Sequence, residues 1–322
     1  MLQLVLDVVP TPVRWAQLDD RAKLSLAIPQ GALIRYVKKT VQARFVAEWR
    51  LRGAASAGDV VLCFNGLPPL FKTSSTVAVF VQNRLLLDGS SLGRFPLKTR
   101  CRLILERLWF RAYQSHASYF VVQTPSMAEL LKGALGRDIT VRVRPFAGQL
   151  ERPVVTGRAR EGYDFVYVAV GEAHKNHENL LLAWRLLGEA GIKPSLALTV
   201  DPDAYPELAA KISRYRDDFG LSIDNLGYLS SANVAGVYAA SKALVYPSLS
   251  ESFGLPLIEA GACQLPVIAP ERDYVRDVVE PVETFDPESP VSISRAIRRF
   301  LGNAEPVAEV LSANDFISGL LK

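Results

Sequence analysis

Two glutamates, Glu251 and Glu259, stand on either side of Gly254 within Ala243–Ala269, ALVYPSLSESFGLPLIEAGACQLPVIA. The run reads as a buried strand ending near Pro247, a Ser-rich loop, a helix entered through Gly254 and Pro256, and a second strand at Pro266–Ala269. Proline suits a first helical turn because its missing N–H would be unpaired there in any case. Such a helix start presents free N–H groups and the positive end of a dipole, and a glycine lets a phosphate approach the backbone closely, so the segment predicts a diphosphate site. One carboxylate beside it is an ordinary dipole or capping partner. A pair has more to offer, because each carboxylate accepts from two neighbouring hydroxyls at once, holding a sugar on one side and a ribose on the other.

Other polar residues gather where strands end. Val79-Phe-Val-Gln-Asn-Arg84 reads as a buried strand that delivers Gln82, Asn83 and Arg84 to a cleft, although Asn83 reads equally well as a turn residue after a strand. Asn65-Gly66-Leu-Pro-Pro69 is a loop that either touches an acceptor or turns the chain. Asp201-Pro-Asp203 has the look of a metal-binding D-x-D, yet it reads better as the start of a helix over Ala204–Tyr215. Cys63, Cys101 and Cys263 lie too far apart for a ligand pair and leave one unpaired, so we expect neither zinc nor a disulfide framework, and reduced thiols in a cytoplasmic protein.

The elements that must hold these groups alternate along the chain. Its 322 residues are 49% hydrophobic and 22% charged, which excludes disorder and, at about 150 residues per domain, predicts two globular units. Strand patterns fall at Leu2–Val9, Asp59–Phe64, Thr76–Val81, Tyr119–Val122 and Thr140–Val143, then at Phe165–Val170, Ser195–Val200, Ala243–Tyr246 and Val267–Ile268. Helical stretches separate them, as parallel α/β sheets require. The segment Pro145–Tyr163, rich in Gly, Pro and Arg, reads as the linker. The expected division is a first domain over residues 1–150, a second over 151–300 and a helical segment over 301–322 that packs back toward the first domain. Open α/β sheets bind ligands at the carboxyl ends of their strands, here across a cleft between the domains.

Charge divides along the same boundary. Residues 1–150 hold 21 Lys and Arg against 9 Asp and Glu; the remainder hold 16 against 24. A basic half suits nucleic acid, an anionic lipid surface or a phosphorylated substrate, or is simply a solvated face. Two stretches within it interleave aromatic and aliphatic residues with Lys and Arg. Ala32–Arg52 and Leu97–Tyr113 both read as helices, and the mixture of Trp, Phe and Leu with basic residues is the pattern of attachment to anionic lipid, as well as of ordinary core-facing helices. No apolar run approaches the about 20 residues needed to cross a bilayer, and Met1–Val9 carries Asp7 in place of a basic leader, so neither a span nor export is expected. No recognition helix or metal finger is legible and the acidic half would repel phosphate backbones, which argues against nucleic acid.

Glu251-Ser-Phe-Gly-Leu-Pro-Leu-Ile-Glu259 resembles the E-x7-E motif of the retaining glycosyltransferases of family 4, which have the GT-B fold. Gly227–Ser248, GYLSSANVAGVYAASKALVYPS, is similar to the stretch that leads into that motif. Gly171–Leu181, GEAHKNHENLL, is similar to the family's phosphate-lysine segment, and Thr124–Leu131 to a helix start of its first domain. The likeness covers residues 119–285 well and the first hundred loosely. It implies two Rossmann-like domains whose parallel sheets face each other across a cleft. It implies that Glu259 holds the ribose and Glu251 the transferred sugar, with Ser252, Phe253, Gly254, Leu255, Gly171 and Tyr228 completing the donor site. It implies that Lys175 neutralises the diphosphate and stabilises the charge that develops on departure, with no metal or other cofactor.

The chain departs from the family in two places. Glu172 stands where relatives often carry an arginine after the glycine, which leaves Arg84 or Arg144 to supply the second phosphate cation. Asn83 stands near where many relatives carry a histidine, and is taken with Glu251 and Lys175 as catalytic; displacement on one face, in which the departing phosphate takes the acceptor proton, needs no histidine there. Gln82, Arg84 and Asn65 are assigned to the acceptor. Gln30-Gly31 occupies the position of a glycine-rich loop with a single glycine.

The resemblance thus implies a transferase that uses a UDP- or GDP-sugar and a glycan or polyprenyl-diphosphate-linked acceptor in bacterial surface-polysaccharide synthesis, at the inner face of the plasma membrane. Two alternatives remain: a nucleotide-sugar epimerase or hydrolase of the same architecture, and a subunit that binds nucleotide or glycan without turnover. A dinucleotide-dependent dehydrogenase is disfavoured because no G-x-G-x-x-G follows a strand.

Overall fold

The computed structural model describes residues 2–9, 13–20, 32–89, 92–148, 162–306 and 310–320. The first part runs α1 (Leu2–Val8), β1 (Trp15–Asp19), β2 (Leu33–Val37), α2 (Val41–Ala54), β3 (Val60–Cys63), β4 (Thr76–Phe80), α3 (Leu97–Tyr113), β5 (Tyr119–Val122), α4 (Pro125–Leu135) and β6 (Val141–Val143). The second runs β7 (Tyr163–Tyr167), α5 (His177–Glu189), β8 (Leu196–Leu198), α6 (Pro206–Asp218), β9 (Ile223–Asn225), α7 (Ser231–Ala239) and β10 (Ser241–Val245). It continues through α8 (Leu255–Ala262), β11 (Val267–Pro270), α9 (Asp273–Arg276), β12 (Glu283–Phe285), α10 (Pro290–Phe300) and α11 (Ala313–Leu320).

Two wholly parallel sheets result, one ordered β3-β4-β5-β6 and the other β12-β11-β10-β7-β8-β9. Parallel strands covered by helices on both faces need apolar residues at successive positions rather than alternate ones. Accordingly Phe165–Tyr167, Leu196–Leu198, Ala243–Tyr246 and Val267–Ala269 are all essentially inaccessible to solvent. The smaller core gathers Val77, Val79, Phe120 and Val122 from its sheet under Leu103, Phe110, Met127 and Leu131 from α3 and α4.

The structure corrects two expectations. Leu2–Val9 is not a strand: Leu2–Val8 is helical and lies with Leu4 close to Gly148. A strand with no neighbour leaves its N–H and C=O groups unpaired, whereas a helix pairs them internally. Ala32–Arg52 is not one helix either. Leu33–Val37 pairs in parallel with Trp15–Asp19, a strand the apolar spacing did not reveal, and only after Thr40 does the helix begin. The Thr40 hydroxyl accepts from the Ala43 N–H and so fixes that start. The small β1–β2 pair is tethered by the Arg14–Asp59 ion pair at 2.8 Å and by the Gln17 amide, which donates to the Ala47 carbonyl. Of the expected linker, residues 149–161 lie outside the described residues, as do Gln30 and Gly31.

The carboxyl ends of the two sheets meet. Arg84, just past β4, reaches the Glu251 carbonyl of the second sheet's loops at 3.5 Å, and the Ser126 N–H at the start of α4 donates to Asp277 at 3.0 Å. Among the described residues no helix is long and apolar enough to cross a membrane.

Candidate active site

The chain leaves β10 through Tyr246, Pro247 and Ser248 and enters α8 at Gly254, whose φ of 74° is left-handed. A Cβ there would lie 3.0 Å from Leu257 Cδ1, so both the backbone conformation and the close approach favour glycine. Pro256 sits in the first turn and no side chain caps this helix start.

Glu251 lies on the loop before α8 with its carboxylate fixed from three directions. Its Oε1 accepts from Lys175 Nζ at 2.6 Å, from the Tyr246 hydroxyl at 2.8 Å and from the Ser248 hydroxyl at 2.6 Å. All three of these bonds fall on the same oxygen. Tyr246 is fully buried against Tyr167, the two rings 5.6 Å apart at 84°. Burial, then the Glu251 charge, push both phenols well above the ordinary tyrosine range, so they remain protonated donors.

Lys175 is delivered by the loop after β7, and that loop is stitched to the one before α8. Asn176, buried at a left-handed φ of 60°, donates through Nδ2 to the carbonyls of Pro247 and Pro287. The Leu249 N–H donates to the His174 carbonyl at 2.8 Å, and the Tyr167 hydroxyl to the Lys175 carbonyl at 2.7 Å. These bonds bring together two residues 76 positions apart in sequence and make the Lys175–Glu251 pair a property of the scaffold. An ammonium has three donors, and the bond to Glu251 uses one of them.

Glu259, on α8, accepts from the Tyr238 hydroxyl of α7 at 3.1 Å. It is half-buried, and burial raises its pKa against the lowering effect of that hydrogen bond. Gly171 lies beneath Tyr205, where a Cβ would come within 2.5 Å of the ring. His174 sits 3.4 Å from the Glu172 carboxylate, its pKa lowered chiefly by burial. His177 stacks on Tyr167 at 4.9 Å and is held neutral, its pKa pushed down to about 3 by burial and then by the Lys175 charge.

On the opposite wall the expected residues divide. The Arg84 guanidinium meets the Glu251 backbone, with Nε 3.8 Å from Asp88 and otherwise buried without a hydrogen bond. Gln82 donates to the Phe64 carbonyl, and the Asn83 side-chain oxygen Oδ1 accepts from the Leu85 N–H and caps the turn Arg84–Leu86. Asn65, oriented with its oxygen toward Arg44, accepts from both terminal nitrogens at 3.0 and 2.7 Å. These three carboxamides therefore serve loops around the first sheet, while Arg84 reaches across to the loops of the second. Phe253 is buried, whereas Tyr228 is 80% exposed. Asp201 accepts from the N–H groups of Asp203 and Ala204, the turn that precedes α6. Among the described residues no group of three His, Cys, Asp or Glu side chains is arranged to hold a metal ion.

Sequence reasoning missed the residues that hold the two glutamates. Tyr246 and Ser248 lie just before Glu251, so their hydroxyls were within local reach; Tyr238, which holds Glu259, had no local signal, nor did Asn176, which ties together the loops that carry Lys175 and Glu251. Tyr274, which donates to the Ser248 carbonyl at 2.5 Å, had none either.

Residues 151–314, just over half of the chain, match the family described as glycosyl transferases group 1. A serotype-specific mannosyltransferase, WbdA of Escherichia coli, is 29% identical over 228 residues, which cover 63% of this chain and 28% of that protein. The chain thus spans little more than a quarter of that curated relative. Among solved structures, Anabaena HepE in complex with UDP and glucose superposes with a TM-score of 0.61 at 13% identity, over 84% of this chain and 77% of that one. WaaG, a glycosyltransferase involved in lipopolysaccharide biosynthesis, superposes with a TM-score of 0.59 at 14% identity, over 86% and 79%. At these identities the likeness establishes the fold, which is GT-B. With its two facing parallel sheets and its match across the second of them, the chain belongs to the glycosyl transferases group 1 family.

Proposed function

We propose that the protein is a glycosyltransferase that moves a sugar, with retention at the anomeric carbon, from a UDP- or GDP-sugar to a glycan or polyprenyl-diphosphate-linked acceptor in bacterial surface-polysaccharide synthesis. It would work in the cytoplasm, in peripheral contact with an anionic membrane face. We also propose that the domains divide near residue 150 and that residues 301–322 return toward the first. The observation that carries the reading is the Lys175–Glu251 pair, held at 2.6 Å beside the uncapped start of α8. It joins a cation for a leaving diphosphate to a carboxylate for sugar hydroxyls at one point of the cleft. The names of WbdA, a mannosyltransferase, and WaaG support the substrate class, and the UDP and glucose of HepE support the donor.

In this reading the bond from the anomeric carbon to the β-phosphate oxygen breaks as the acceptor oxygen closes on the same face, and its proton passes to the departing phosphate. Lys175 offers N–H donors to that phosphate, where charge develops. Backbone N–H groups at Phe253, Gly254 and Leu255 take the other oxygens, with Ser252 and Gly171 beside them. Arg84 replaces the cation that Glu172 displaces. Glu251 accepts from the sugar and Glu259 from the ribose, with Tyr228 at the donor's outer edge. Gln82 and Asn65 serve the acceptor side by fixing the loops beside it, and Asn83 serves Glu251 and Lys175 at the reacting centre by capping the turn that delivers Arg84.

The test is transfer from a panel of UDP- and GDP-sugars, with nucleotide release followed alongside donor binding by calorimetry. Glu259→Ala and Lys175→Ala are expected to weaken donor binding, Glu251→Ala to lower kcat, and Arg84→Ala to lower kcat/KM. Wild-type rates and affinities in all four variants, or no transfer from any donor by the unaltered protein, would overturn the reading.

A further inference from the structure

Helix α3 carries two apolar faces, and the fold uses one of them. Leu103 and Phe110 are buried against the first sheet. Arg107 turns inward to the carbonyls of Leu85 and Asp88, and Trp109 Nε1 donates to the Pro68 carbonyl. These contacts fix the helix. On the outward side Leu97, Cys101, Ile104, Leu105, Leu108 and Ala112 recur at helical spacing and are all exposed, Leu97, Leu105 and Leu108 by 72, 66 and 59%. They form a continuous stripe, since residues three and four apart share a helix face. Among the described residues nothing covers it, and exposure of so much aliphatic surface in one row marks an interaction site.

The charges beside the stripe identify its occupant. Lys98, Arg100, Arg102 and Arg111 are exposed on its flanks, and the only acid of the helix, Glu106, is largely covered and lies 3.9 Å from Arg102. A second copy of the chain laid on this face would bring one basic flank against another. An anionic bilayer instead offers hydrocarbon to the stripe and phosphates to the four cations on either side of it. We propose that the outer face of α3 is the membrane-docking surface, lying in the headgroup plane of an anionic leaflet with Leu97, Ile104, Leu105 and Leu108 inserted. The inference deepens the membrane-proximal reading above and rests on it for its purpose: α3 leads through β5 into α4, whose start faces the cleft at Asp277, so a docked α3 holds the catalytic cleft near a lipid-linked acceptor.

The experiment is co-sedimentation of the full chain, without donor or acceptor, with vesicles of phosphatidylcholine alone or of two parts phosphatidylcholine to one part phosphatidylglycerol. The protein is expected to bind the mixed vesicles and not the neutral ones, and binding should fall as salt is raised. Leu105→Glu with Leu108→Glu should abolish binding. Arg100→Ser with Arg102→Ser should weaken it about fivefold per residue, the equivalent of the ~1 kcal/mol that an anionic surface contributes per basic side chain. Both pairs are exposed, so melting temperature and transfer to a water-soluble acceptor should be unchanged. Equal binding to neutral vesicles, undiminished binding of the leucine variant, or a dimer in free solution that the leucine variant dissociates would each overturn the proposal. Vesicle binding without sugar transfer would instead defeat the transferase reading and leave the docking face standing.

Discussion

Replacing Tyr246 by phenylalanine isolates the role of the shell around Glu251. The ring is fully buried and packs edge-on against Tyr167, so Phe keeps the volume and the contact and removes one hydroxyl. That hydroxyl lies 2.8 Å from Glu251 Oε1 and donates to a charged acceptor. Hydrogen bonds of this kind contribute about 1.5–3 kcal/mol. If that energy holds Glu251 in register with the sugar in the transition state, its loss lowers kcat/KM by roughly 10- to 150-fold at 1.4 kcal/mol per decade. Ser248→Ala removes a second donor to the same oxygen and should have an effect of similar size, while the double variant should fall short of the product, because both act on one carboxylate. The assay is steady-state nucleotide release at varied donor concentration, with the melting temperature recorded for each variant. A drop in melting temperature with kcat/KM within twofold of wild type, in both single variants and the double, would show that these hydroxyls serve folding alone and refute the reasoning.

Two further outcomes follow from the same geometry. Gly254→Ala places a Cβ at a φ of 74°, 3.0 Å from Leu257, and a left-handed non-glycine residue costs about 1–2 kcal/mol; calorimetry should show weaker nucleotide binding together with a lower melting temperature, and an unchanged affinity would remove the backbone of this turn from the donor site. His177 is neutral in the fold, with a pKa near 3 against 6.5 when unfolded. The unfolded chain therefore takes up the proton first, so the stability linked to this group is fully present above about pH 6.5 and falls by about 1.4 kcal/mol per pH unit as pH drops toward 3. Denaturant unfolding of the His177→Leu variant should show a shallower loss of stability between those limits, and an unaltered slope would mean that the histidine is not buried as described.

Much of the architecture was legible because it is written in local patterns. Tyr119–Val122 and Leu97–Tyr113 carry their strand and helix signals within their own residues, and the structure has both at those limits. The helix that opens at Gly254 was equally local, since a glycine and a proline in the first turn specify where it starts. Errors arose where the deciding partner was distant. The apolar residues at 33, 34, 37, 41, 45 and 49 follow a helical period, yet Leu33–Val37 became a strand because Trp15–Asp19 lies alongside it. Ile223–Asn225 and Glu283–Phe285 are three-residue edge strands, too short for a periodic signal.

Sequence alone determined the chemistry that is contiguous: the spacing of Glu251 and Glu259 about a glycine-opened helix, and the segregation of positive charge into the first half. Tertiary structure decided everything that depends on distance across the chain. It set Lys175 against Glu251, placed the hydroxyls of Tyr246 and Ser248 on the same oxygen, and directed Arg84 rather than Gln82, Asn83 or Asn65 across the cleft. It also turned one side of α3 to the core and left the other bare. The physical reason is that hydrogen bonds and ion pairs select partners within about 3 Å, whereas sequence constrains geometry over a few turns of helix or one strand, so which donor meets which carboxylate is fixed only when the sheets bring their loops together.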